Sequence, residues 1–194
     1  MAAIDSVCVY CGSSSGANPR HAEVARELGR RLAEGNIRVI YGGGRVGLMG
    51  QVADAALAAG GKVIGVIPEH LEAGEVGHRG LTELRVVASM HERKTLMFEL
   101  AGAFVILPGG FGTLDEAFEM LTWRQLRLHD KPIVFLDIDG YWAPFHAVVE
   151  HFIREGFARE NSRNLFTMVA DVEQVIPTLL RQPAPVVPDA VRRL

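Results

Sequence analysis

Residues 107–116 of this 194-residue chain read Leu-Pro-Gly-Gly-Phe-Gly-Thr-Leu-Asp-Glu, a spacing suited to holding a phosphate beside an acid. An apolar run over 103–107 stops at Pro108. Gly109, Gly110 and Gly112 then supply backbone without Cβ atoms, and Thr113 opens a helical pattern. A strand that feeds a glycine turn into a helix start aims several free N–H groups at one point, where the helix dipole adds positive potential. Asp115 and Glu116 fall in the first helical turn, within reach of whatever the phosphate carries. That layout belongs to a site acting on a phosphorylated small molecule. Of the two acids, Asp115 is turned about 100° from Glu116 on a helix, toward solvent or the helix N-terminus.

A second cluster offers the opposite charge. Met90-His91-Glu92-Arg93-Lys94 sets two adjacent cations at the start of a helical pattern. Cations there oppose the helix dipole, a small cost that an anionic ligand would offset. Arg93 can fork onto a phosphate or carboxylate and Lys94 adds a point charge, although a solvated helix end is the plainer account of the same residues.

Two further glycine loops match known motifs in spelling more than in context. Gly42-x-Gly44-x-x-Gly47 has dinucleotide-binding spacing, but it follows the second strand pattern, and Glu69 comes after the helix-breaking Pro68. Gly43 and Gly44 are therefore expected to approach a phosphate or ribose rather than a whole NAD. Gly12-Ser13-Ser14-Ser15-Gly16 spells a serine-hydrolase elbow, which needs a helix directly after its serine. Ala17-Asn18-Pro19 intervenes, with Asn18 as N-cap and Pro19 at the first helical position, and Asp137, Asp139, His146 and His151 lack triad spacing. Ser13 is left as a hydroxyl lining a polar pocket. Cys8 and Cys11, three apart on a strand, face opposite sides and read as core thiols rather than a redox pair. The scattered histidines lack metal-ligand spacing, so no metal site is expected.

The elements that must position these groups alternate. Strand patterns cover 6–10, 37–41, 62–67, 83–87, 103–107, 132–136 and 165–169; helical patterns cover 22–34, 48–59, 92–101, 113–128, 142–155 and 172–180. An irregular excursion spans 69–82. Near-continuous apolar strands alternating with helices imply an α/β fold: a Rossmann-like, doubly wound parallel sheet flanked by helices. One domain over 1–182 is expected, with a loose tail at 183–194 that carries Pro183, Pro185 and Pro188. Ligands of such sheets bind beyond the carboxyl ends of the strands, where the winding reverses. Loops 12–16, 42–47 and 109–112 sit at three such ends, which argues for one composite pocket.

Composition removes other classes. A hydrophobic content of 48%, 22% charged residues and a net charge of −3 describe an ordinary globular chain, slightly apolar and not basic enough for a nucleic-acid or anionic-membrane binder. No apolar stretch reaches 18 residues, and the opening Met-Ala-Ala-Ile-Asp-Ser lacks a basic segment, so the expected location is the cytoplasm.

Taken together, these motifs resemble the LONELY GUY family of cytokinin-activating nucleoside 5′-monophosphate phosphoribohydrolases over residues 6–180. The family's P-G-G-x-G-T-x-x-E is met by Pro108, Gly109, Gly110, Gly112, Thr113 and Glu116. Its M-H-x-R-K is met by Met90, His91, Arg93 and Lys94, its G-G-G-x-x-G-L-M-G by residues 42–50, and its C-G-S-S by residues 11–14. The resemblance implies a homodimer that hydrolyses the N-glycosidic bond of N6-modified AMP, and of AMP itself, to free base and ribose 5-phosphate without metal or organic cofactor. It implies Arg93 and Glu116 as the catalytic pair. Substrate contacts would come from Glu75, Arg93, Lys94, Gly110, Phe111, Gly112, Thr113, Leu114, Asp115, Glu116 and Thr122. Similar proteins are often labelled lysine decarboxylases, yet no pyridoxal-phosphate lysine setting is identifiable here. A non-catalytic nucleotide or cofactor carrier on the same fold, or a general purine-monophosphate nucleosidase, are the alternatives. Met120 and Trp123 fit core or dimer packing better than a base pocket.

Overall fold

Seven apolar runs pair side by side: β1 (Ser6–Tyr10), β2 (Arg38–Tyr41), β3 (Val63–Pro68), β4 (Glu83–Val87), β5 (Ala103–Ile106), β6 (Ile133–Leu136) and β7 (Thr167–Val169). They form one parallel sheet in the order β4-β3-β2-β1-β5-β6-β7, in a computed structural model that describes residues 4–72 and 77–181. β1 has Ile40 of β2 and Phe104 of β5 on either side of Cys8. All five of its residues are buried, because both faces of the sheet are covered.

One face lies under α1 (Arg20–Glu34), α2 (Gly47–Ala58) and α7 (Val175–Arg181), where Leu28, Val52 and Leu179 meet Val7, Val9 and Leu136. The other lies under α4 (Met90–Leu100), α5 (Phe111–Gln125) and α6 (Ala143–Arg154), where Met97, Met120 and Phe145 meet Cys8, Tyr10 and Phe104. A single turn, α3 (Glu69–Leu71), follows β3. Cys8 and Cys11 enter opposite core layers as expected, and burial pushes both thiols up, away from reactivity.

Winding runs outward from β1 to β4 and then returns to place β5 against β1. The loops leaving β1, β2 and β5 are thereby neighbours at one edge. Backbone hydrogen bonds stitch them: Gly12 N–H donates to Pro108 O at 3.0 Å and Leu48 N–H to Gly12 O at 3.1 Å. Gly47, at φ 61°, lets the second loop rest on the first, since a Cβ there would stand 2.3 Å from the Ser13 carbonyl carbon.

Element ends depart from the sequence pattern where caps are unusual. α5 stops at Gln125 rather than running to 128. Arg127 takes φ 61°, and Leu128 N–H reaches back to Trp123 O at 2.9 Å while Arg127 N–H reaches Arg124 O. This is a Schellman ending built on arginine instead of the usual glycine, so the sequence carried no stop signal. The chain enters β7 and α7 through 3₁₀ turns at Glu160–Leu165 and Val172–Gln174, which shortens both elements relative to their patterns. Before α1, Asn18 Oδ1 accepts from Arg20 N–H at 3.0 Å, with Pro19 between them already in helical conformation. The expected loose tail at 183–194 lies outside the described residues.

Candidate active site

α4 starts two residues earlier than its apolar pattern because Ser89-x-x-Glu92 fixes its end. Ser89 Oγ accepts from Glu92 N–H at 3.1 Å, and Glu92 Oε2 accepts from Ala88 N–H at 2.9 Å. That start turns Arg93 inward, where it is only 8% exposed. Its Nε donates to Val66 O at 3.2 Å, and its Nη2 lies 3.0 Å from Glu116 Oε1 on α5. Gly42 makes room: a Cβ there would stand 2.2 Å from Arg93 Nη2. The first glycine of the second loop is thus explained by the guanidinium beside it.

Glu116 is 7% exposed. Burial pushes its carboxyl up to about 7, and Asp115 adds in the same direction, while Arg93 and Lys94 oppose them. Desolvation therefore outweighs the ion pair. Lys94 bridges Asp115 Oδ2 and Glu119 Oε1, each at 3.2 Å. Asp115 is exposed, as its angle on the helix predicts, but it holds Lys94 rather than only facing water. The α4 cations thus meet carboxylates of α5. The first N–H groups of α5 have no acceptor inside their own helix, and the helix dipole adds positive potential there.

Those N–H groups belong to the glycine turn. Gly109 is gripped, since a Cβ there would meet Thr113 Oγ1 at 2.1 Å and Gly12 N at 2.9 Å. Gly110 and Gly112 are different: a Cβ at either would have nothing within 4 Å. Neither has the positive φ that glycine alone favours, so the protein's own packing gives no reason for them. Open space above exposed amides is what an anion needs. Thr113 is buried beneath the turn, Phe111 stands 95% exposed above it, and Leu114 faces α6.

Other candidate residues are placed elsewhere. Gly43 O accepts from His78 N–H at 2.9 Å and Gly44 bridges Gly77, so both tie down the excursion after β3. Ser13 is exposed on the β1 loop beside Gly47. Thr122 sits about 9 Å along α5 from Glu116, on the rim of an apolar hollow with Phe118, Phe152 and Phe157. The structure does not bring it to the Arg93–Glu116 pair. Met120 is fully buried and Trp123 packs edge-on against Phe98, both in the core layer. Glu75 lies outside the described residues. Sequence reasoning missed the Ser89-x-x-Glu92 cap, which was legible, and Glu119, whose i+3 spacing from Glu116 places it on the same side of α5.

Residues 49–179 match the family model described as "Possible lysine decarboxylase". The chain is 47% identical over 175 residues to a cytokinin riboside 5′-monophosphate phosphoribohydrolase of Rhodococcoides fascians, covering 90% of this chain and 88% of that protein. It is 42% identical over 170 residues to the cytokinin riboside 5′-monophosphate phosphoribohydrolase LOG of Oryza sativa subsp. japonica, covering 88% and 70%. Among solved structures, the molybdenum cofactor binding protein of the phototrophic bacterium Rippkaea orientalis superposes with a TM-score of 0.70 at 20% identity, over 92% of this chain and 96% of that one, a likeness of fold alone. No helix among the described residues is long and apolar enough to cross a membrane.

Proposed function

This chain belongs to the cytokinin riboside 5′-monophosphate phosphoribohydrolase family, and from that premise we propose that it hydrolyses the N-glycosidic bond of N6-modified AMP, and of AMP itself, releasing free base and ribose 5-phosphate. The observation that carries the proposal is the buried Arg93–Glu116 pair beside an open, amide-rich turn. In this scheme the 5′-phosphate rests on the N–H groups of Gly110, Phe111, Gly112 and Thr113. The bond between C1′ and the purine breaks with its electron pair leaving on the base, so positive charge develops on the ribose. Ionised Glu116 stabilises that charge and takes a proton from the water whose oxygen bonds to C1′. That proton passes on to the departing base. Arg93 hardly gives up a proton, so it acts by orienting Glu116 and by relieving charge on the leaving purine.

The protein is further proposed to work as a homodimer in the cytoplasm. Phe157 at 87% and Phe152 at 39% exposure support an apolar subunit face around the α5–α6 hollow. Incubation with AMP and chromatography of the products tests the activity. Free adenine and ribose 5-phosphate in equal amounts are expected. AMP bound but recovered intact would make the protein a carrier. Comparison of AMP with isopentenyladenosine monophosphate separates a cytokinin enzyme from a general purine-monophosphate nucleosidase.

A further inference from the structure

We propose that Tyr141 is a positioning residue for the anion-binding turn, holding Gly109 so that the next N–H, that of Gly110, faces the substrate phosphate. The inference rests on the phosphate-monoester site proposed above. Tyr141 lies between β6 and α6, remote in sequence from the turn, yet its hydroxyl donates to Gly109 O at 2.6 Å. Peptide planarity makes the rest follow. In a trans peptide the C=O of one residue and the N–H of the next point in opposite directions, and no peptide among the described residues is cis. Drawing the Gly109 carbonyl toward Tyr141 therefore turns the Gly110 N–H away from Tyr141, at an exposed residue where even an added Cβ would meet nothing within 4 Å.

The turn needs such a tether. Gly109-Gly110 is the pair of residues with the least steric resistance to rotation of the peptide between them. A rotated peptide would present its carbonyl oxygen to the phosphate and replace attraction with repulsion. Thr113 and Gly12 crowd Gly109 from two other sides, but they do not hold its oxygen.

Tyr141 is itself held. Its ring meets His21 edge-on at 5.4 Å and Trp142 at 4.9 Å. The Trp142 N–H donates to Asp137 Oδ1 at 2.7 Å. Asn18 Nδ2 donates to Asp139 Oδ2 at 2.9 Å, which fastens the 138–142 turn to the β1 loop. The tyrosine thus ties the Gly109 turn to its own turn and to His21 at the start of α1, and the donors are set before substrate arrives, so binding need not order them.

Tyr141→Phe removes the hydroxyl and keeps the ring. It is expected to weaken ribose 5-phosphate binding, read by calorimetry, and to raise KM for AMP, each by about threefold to tenfold, with a smaller change in kcat. Hydrolysis of adenosine, which lacks the phosphate, should keep its kcat/KM, and the pH profile should stay in place. Equal affinity for ribose 5-phosphate in the two proteins would overturn the proposal. So would a loss shared equally by AMP and adenosine, which would mark a structural role only. A wild-type protein that binds ribose 5-phosphate but leaves AMP intact would sink the hydrolase and still allow the binding comparison to decide Tyr141. A wild-type protein without affinity for ribose 5-phosphate would end the proposal for Tyr141, while AMP turnover alone decides the hydrolase.

Discussion

Arg93 and Glu116 meet where burial works against a charged carboxyl. The Glu116 carboxyl, pushed up to about 7 by burial, is divided between its two forms near neutrality. Catalysis by the ionised form is therefore expected to rise as pH passes through about 7, measured as kcat/KM for AMP between pH 5 and 9. The stability effect has the opposite sign. A carboxyl whose folded value lies above its unfolded one stabilises the fold at low pH, and that contribution is lost as pH rises through about 7. Glu116→Gln should abolish this slope. It should also lower turnover by roughly two to four orders of magnitude with a much smaller loss of AMP affinity; retained turnover would remove Glu116 from the mechanism. Gly42→Ala tests the partner without touching either residue. Its Cβ would displace the Arg93 guanidinium, so kcat/KM should fall by roughly tenfold to a hundredfold. The acid limb of the pH profile should move upward, because the cation that opposes protonation has been displaced.

α4 brings Arg93 to Glu116, and both of its ends are held. Ser89 fixes the first turn, and Ser89→Ala is expected to cost about 1 kcal/mol, read as a lower denaturant midpoint at unchanged slope. At the other end Lys131 Nζ donates to Phe98 O at 2.6 Å and lies 3.8 Å from the centre of the Phe98 ring. Burial pushes this lysine down to about 8. The unfolded chain then binds more protons than the native one between about 8 and the ordinary lysine value, so stability should rise with pH across that interval. Lys131→Met should remove the rise in a series of denaturation curves from pH 7 to 10. A slope unchanged by the substitution would assign it to another group.

At the scale of the whole molecule, the strand order makes the site. Placing β1 between β2 and β5 brings the loops that follow these strands to one edge, although they lie far apart in sequence. The other prominent surface is the α5–α6 hollow, with Phe152 and Phe157 exposed and Thr122 at its rim. The proposed homodimer would cover it. Analytical ultracentrifugation should give twice the monomer mass, and Phe157→Asp should shift the protein toward monomer. A monomeric wild-type protein at micromolar concentration would exclude this use of the hollow.

Sequence by itself determined whatever depends on near neighbours along the chain. Apolar runs marked all seven strands, and the spacing of Gly109, Gly110, Gly112 and Thr113 marked the glycine turn that opens α5. It went astray where a cap had unusual chemistry, as at Arg127, because a left-handed arginine is specified by its surroundings and not by its own preference. Only the tertiary structure decided that Arg93 meets Glu116 and Gly42, that Lys94 is held by Asp115 and Glu119, and that Tyr141 reaches Gly109. These contacts join residues that local rules leave independent, and they exist because the sheet returns its fifth strand to the side of its first.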